Sequence, residues 1–338
     1  MNHIKFLFAG IFLSLASFSA LGEEFTLSIQ TLDPESSPNF TFQKSWVDDI
    51  HKRSQGRLKI NLLPVGSVCK HTETIDAIQS NKIDGHFSAE VYFVSKDPAF
   101  GLIGDLVGAW SDASQLLDYM NNGGGNALLT EMYEKYHIHM VGVATTGVES
   151  LVSRRPVNGV ADLKGFKMRA PEGLVRQVFA AAGAIPVNLP FSKVKQGLKN
   201  KVLDGADYSV FSTNQKIGLN DLAHHPMYPG FHSIPLLDFS ISEKKWQQLP
   251  PELQQVLIDA TNDYAVSVTN KFKVLDEKVV KQVLQNDPQI KIHNWSEAER
   301  KKFRAIAQTQ WKIYAKRSPM AKKVYNSVTT YLKNQNLL

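Results

Sequence analysis

Ile78-Gln-Ser-Asn-Lys-Ile-Asp-Gly85 returns 120 residues later as Leu198-Lys-Asn-Lys-Val-Leu-Asp-Gly205. Each copy runs from an apolar position through a polar stretch to an apolar-Asp-Gly turn. A glycine-led strand stands upstream of each, Gly56-Arg-Leu-Lys-Ile60 and Gly165-Phe-Lys-Met168. Strand, helix and turn repeated in this way predict two similar α/β lobes. Two lobes facing each other leave a cleft that hinge closure can seal around a small molecule.

Sequence on either side of the echo supports this layout. Phe25-Thr-Leu-Ser-Ile-Gln30 alternates like a strand. The turn Asp33-Pro-Glu-Ser-Ser-Pro38 then leads into a helix with Phe42, Trp46, Val47 and Ile50 on one face, closed by Gly56. Leu58 to Leu62 forms the next strand, and Ile75 with Ile78 marks a short helix. From Pro250 the character turns helical: Leu253, Val256, Leu257 and Ala260, then Val266, Val268 and Phe272, keep one apolar stripe. Gln289 to Ile292 reads as a strand, and Ser296 with Glu299 predicts a capping box.

Composition bounds the function. The 338 residues are 43% hydrophobic and 21% charged, as in folded globular chains. The net charge of +6 is spread along the chain with no basic block interleaved with aromatics, which argues against nucleic-acid binding. Residues 1–22 carry Lys5, an apolar run from Phe6 to Ala16, and the small-residue site Ala20-Leu21-Gly22. That is a cleavable secretory signal, too short for a membrane span, and no cysteine follows it to carry a lipid. Export to the periplasm is expected. Cys69 is the only cysteine, so disulfides within the chain and cysteine-rich metal sites are excluded; beside Val68 it reads as a small buried apolar residue. G-x-S-x-G, Walker A, G-x-G-x-x-G and H-E-x-x-H are all absent, and the chain reads as a non-enzyme. Gly123-Gly124-Gly125 reads as a turn before the helix at Ala127.

Polar groups gather between 145 and 235. Arg169 closes the strand Phe166-Lys-Met168 and is followed by Ala170-Pro171. An arginine held there can aim a planar fork of donors into a cleft, a geometry that matches a carboxylate.

Val160-Ala-Asp-Leu-Lys-Gly-Phe-Lys-Met-Arg169, Gly183-Ala-Ile-Pro-Val187, the Leu203-Asp-Gly205 turn and Tyr228-Pro-Gly-Phe-His232 resemble DctP-type solute-binding proteins of TRAP transporters. Tyr119 to Gly125 and Lys245-Trp246 to Leu253 extend the likeness toward the subgroup that binds 2-oxo and 2-hydroxy acids. The resemblance implies an α/β, two-lobed periplasmic-binding-protein fold with a hinge, a ligand cleft between lobes and a helical C-terminal part. It places one lobe at 23–146 plus 235–275 and the other at 147–234 plus 276–338. It makes Arg169 the salt-bridge partner of the ligand carboxylate, and a TRAP membrane permease the partner of the protein. An extracytoplasmic sensor subunit is the alternative, and a homodimer through exchange of the tail after Ser318 stays open.

Three positions depart from that subgroup. Its glutamine is Glu149, its Glu-Trp pair is Asp207-Tyr208, and its last glutamate is Ser233 after Phe231-His232. A sodium or calcium ion bridging the ligand would rest on Glu149 and Asp207; without it, the same acids suit an amine-containing acid, and Glu149 could instead pair with Arg154 or Arg155 on the surface. Tyr208 and Phe231 would wall the ligand, with Tyr92 and Ser88 opposite, and His232 and Ser233 nearby. The mature protein should begin at Glu23 with net charge +5 after loss of Lys5. Intact-mass analysis of exported protein checks this, and retention of residues 1–22 on a membrane-bound form would refute it.

Overall fold

The computed structural model describes residues 23–338 except 188 and 190, so the expected signal at 1–22 lies outside the described residues. The chain starts with β1 (Phe25–Thr31), α1 (Pro38–Arg53), β2 (Leu58–Leu63), α2 (Thr74–Gln79) and β3 (Gly85–Ala89). Its three strands run parallel in the order β2-β1-β3. Ser37 starts α1 where its hydroxyl accepts from the Phe40 N–H at 3.0 Å, and Pro38 occupies a first-turn position that needs no N–H. The inward face of α1 sets Trp46 edge-on against Phe87 of β3.

Then follow α3 (Ala99–Gly104), α4 (Ala113–Asn122), α5 (Gly125–Glu134) and β4 (Ile138–Ala144). The second sheet is built from β5 (Ser150–Ser153), β6 (Lys167–Arg169), α6 (Leu174–Ala181), β7 (Ile185–Val187), α7 (Val194–Lys199) and β8 (Gly205–Ser209). After α8 (Phe211–Lys216), the chain returns to the first sheet as β9 (Leu237–Ser242). It ends with α9 (Glu243–Gln248), α10 (Pro251–Asn286), α11 (Glu297–Tyr314) and α12 (Pro319–Asn334).

The echo is a structural repeat with a shifted partner. The sheets are ordered β2-β1-β3-β9-β4 and β5-β8-β6-β7, so β7-β6-β8 matches β2-β1-β3. The strand after Gly165 therefore corresponds to β1, not to the strand after Gly56. The true counterpart of β2 is Ile185–Val187, three residues with a central proline and too short to show a period. In both copies the turn aspartate bonds to the parallel neighbour: Asp84 Oδ2 accepts the Ser28 N–H at 2.8 Å, and Asp204 Oδ2 accepts the Lys167 N–H at 2.9 Å. The glycine that follows lies under an antiparallel strand. A Cβ on Gly85 would fall 2.4 Å from the Ser240 carbonyl, and one on Gly205 would fall 2.2 Å from that of Val152. Asp-Gly recurs because each sheet needs that bond and that close approach.

The chain crosses between sheets at 145–149 and returns through 210–236. Helix α10, 36 residues and about 54 Å long, packs on β4 and α1 and also on α8. Asp276 of α10 is buried and accepts the Ser212 N–H at 2.7 Å, tying the helix to the start of α8. In the C-terminal part α11 packs on α6, and α12 packs on α3 and α5. Some expectations need correction. Gln289 to Ile292 forms no strand, and Val266 is 64% exposed. Ser296 caps α11, yet the Glu299 carboxylate binds the Val160 N–H at 2.8 Å instead of closing a box. Cys69 is half-buried, its sulfur facing the Gln30 amide.

Burial pushes the Asp276 carboxyl up to about 6, against the hydrogen bonds from Ser212. For an acid raised in the folded state, stability is present at low pH and lost as pH climbs from about 4 to about 6. Asp276→Asn should therefore gain on the wild type, by on the order of 2 kcal/mol, as pH rises from 4 to 7. Thermal melts of both proteins across that range check it; a difference independent of pH would sink the assignment.

Candidate functional site

The carboxyl ends of the parallel strands in both sheets open onto one cleft, the usual place for a ligand in such sheets. It encloses about 780 Å³ of space, counting the part open to solvent. Leu32, Asp33 and Pro34 follow β1, and Val91 and Tyr92 follow β3. Arg169 ends β6, Asp207 and Tyr208 come from β8, and Thr146 and Glu149 sit on the first crossing. Asp33 is held in place by Ser37, Asn39 and Gln43, whose side chains all donate to it.

Arg169 lies in the cleft wall at 5% exposure, and its Nη1 donates to the Asp207 carbonyl at 2.9 Å. His232 Nε2 meets Asp207 Oδ1 at 2.8 Å from behind. Burial alone would raise Asp207. The bond and charge of His232, a hydrogen bond from Glu149 and the charge of Arg169 outweigh burial and hold it below the usual carboxylate range. Glu149 goes the other way: burial, and then the neighbouring Asp207 charge, push its carboxyl well up. A third acid, Asp105, follows α3 and lines the same cleft at 4% exposure. Burial and then Asp207 raise it well above the ordinary range. Glu149, Asp207 and His232 bring potential metal-ligand atoms within 4.8 Å of one another.

Of the residues expected at the site, Arg169, Glu149, Asp207, Tyr208 and Tyr92 line the cleft. Glu149 points to Asp207, not outward to Arg154 or Arg155. The others do not line it. Phe231, expected as a wall, stacks on Trp295 at 3.7 Å and packs against Phe179 and Phe303 in the core. His232 and Ser233 are buried behind Asp207 and Glu149, and Ser88 is buried within β3. Asp105 escaped the sequence reading. Its one local signal was an acid directly after the apolar run Ala99 to Gly104.

The sequence pattern of bacterial extracellular solute-binding protein family 7, DctP, matches residues 29–317. A TRAP periplasmic solute-binding protein from Rhodobacter sphaeroides, solved in an apo open state, is 45% identical; the match covers 93% of this chain and 99% of that one, with a TM-score of 0.77. The monocarboxylate 2-oxoacid-binding periplasmic protein of Nostoc sp. is 26% identical over 253 residues, 74% of this chain and 69% of its own. A TRAP periplasmic solute-binding protein from Pseudoalteromonas atlantica, solved with sodium and pyruvate, is 24% identical. That match covers 93% of this chain and 95% of the other, at a TM-score of 0.81.

Glu149 is fixed by contact between the two crossing segments. Its N–H donates to the Ser233 carbonyl at 2.9 Å, and a Cβ on Gly230 would lie 1.7 Å from the Glu149 carbonyl oxygen. Gly230→Ala must force the segments apart and should cost about 3 kcal/mol or more. Urea titration measures this, and a loss within about 0.5 kcal/mol would show that the contact is not constraining.

Proposed function

The chain belongs to bacterial extracellular solute-binding protein family 7, and from that premise we propose that Arg169 anchors a small carboxylate for delivery to a TRAP permease. Like its relatives, it is a solute-binding protein of a transporter and not an enzyme. The observation that carries the ligand reading is a guanidinium buried in a cleft wall between two sheets. A planar fork of donors pairs with a carboxylate in two parallel hydrogen bonds, and excluding water strengthens the pairing. Tyr92 from one lobe and Tyr208 from the other would meet the ligand on closure. The closed state gains only from contacts that the open state lacks. The 2-oxo acids in the name of the Nostoc protein and the pyruvate in the Pseudoalteromonas structure support a small carboxylate as the ligand.

The lobes we propose are 23–146 plus 235–275 and 147–234 plus 276–338, with α12 resting on α3 and α5 of the first. We propose the periplasm as its place of action, as the names of its relatives support. No helix among the described residues is long and apolar enough to cross a membrane.

A resident sodium or calcium ion on Glu149 and Asp207 fits this donor set poorly. One Asp207 oxygen is engaged by His232, and the Asp207 carbonyl by Arg169. Calcium takes about six to eight oxygens, and here a guanidinium stands among the few that are left.

Thermal-shift measurements with a panel of small carboxylates test the anchor. A ligand at a hundredfold excess over its Kd should stabilise the wild type by about 2.7 kcal/mol. Arg169→Ala should abolish that shift, and an undiminished shift would remove Arg169 from the role.

A further inference from the structure

The cleft carries more acid than a carboxylate ligand needs. Asp33, Asp105, Glu149 and Asp207 line it against a single arginine, Arg169. Asp33 has its own donors in Ser37, Asn39 and Gln43, and Asp207 has His232. Asp105 is less well served: it is 4% exposed and faces the cleft, the Ser233 hydroxyl is the one side chain that opposes the effect of its burial, and its Oδ1 has no hydrogen-bond partner. A buried carboxyl oxygen with no donor is costly and tends to be matched by whatever binds beside it. A ligand with only an acid group would bring further negative charge to this end and leave that oxygen unmatched.

We propose that the ligand carries a cationic nitrogen as well as its carboxylate, and that Asp105 is the residue that selects for it. This rests on Arg169 as the carboxylate anchor. An ammonium group brings three N–H donors on one compact charge, and Asp105, Glu149 and Asp207 supply three acids to receive them. It needs no complete shell of oxygens, unlike a metal ion, and so tolerates a nearby guanidinium and an Asp207 already bonded to His232. The ligand class is a small zwitterion, an amino acid with its amine on the α, β or γ carbon.

Isothermal titration in EDTA, with pyruvate and lactate against alanine, β-alanine and 4-aminobutyrate, tests the proposal. At least one amino acid should bind 30-fold or more tightly than pyruvate or lactate. Asp105→Asn, close in shape to the wild type, should weaken that amino acid tenfold or more and narrow the preference for it over the two amine-free acids. Its thermal melt verifies that it folds. Tight binding of pyruvate or lactate with none of the amino acids overturns the proposal and leaves the anchor reading standing. So does amino-acid binding that Asp105→Asn does not weaken, or binding that appears only when calcium replaces EDTA. If Arg169→Ala binds the amino acid as the wild type does, the anchor reading fails and the proposal with it.

Discussion

Residues 230–236 are gripped from two sides, and the cleft depends on that grip. On one side the Ser233 carbonyl accepts the Glu149 N–H at 2.9 Å. On the other, the His232 carbonyl accepts the Gly108 N–H at 2.6 Å, and the Leu236 N–H donates to the Gly104 carbonyl at 2.7 Å. One backbone segment thereby fixes Glu149 on the first crossing and Asp105 at the end of α3. Through the His232 ring it also fixes Asp207 on β8. Three acids from distant parts of the chain share one scaffold, and Gly230 permits it because no side chain stands where the Glu149 carbonyl must pass.

Charge balance follows from this placement. Buried carboxyls drawn together without compensation would repel one another and lose hydration. Asp207 escapes because His232 and Arg169 both favour its ionised form, whereas burial and the Asp207 charge press Glu149 and Asp105 toward their neutral forms. The same neighbourhood thus separates its acids into one that holds charge and two that resist it. A site of this kind is tuned for an incoming group whose own charge settles the difference, and rigid placement makes the tuning specific.

Local signals carried much of the fold and one residue of the site. The Asp-Gly turns were visible because a short-range bond and a steric constraint both act on adjacent residues, and each sheet requires both. Arg169 stood out as an arginine at a strand end before Ala-Pro. What stayed hidden depended on contacts far apart in sequence. Phe231 reads as a cleft wall until Trp295, 64 residues later, covers its face. Asp105 is only an acid after an apolar run until 232–236 and 149 arrive beside it. The proline in Ile185–Val187 hid the strand that aligns the two repeats, so pairing by leading glycines chose the wrong partner.

The two sheets share a topology but not a chemistry, and the asymmetry matters for binding. From the first sheet the cleft receives Tyr92 and the neutral-sided network around Asp33, which Asn39 extends to Tyr264 on α10. From the second it receives Arg169 and Asp207, a charged pair on adjacent strands joined through the Asp207 carbonyl. The arginine we propose as anchor therefore sits on the second sheet, with Glu149 on the first crossing and Asp105 at the end of α3 held against the returning one. In the binding order we propose, a ligand docks first on the second lobe, where Arg169 and Asp207 are already joined. The first lobe then adds the contacts that distinguish closed from open, and these alone bias the hinge.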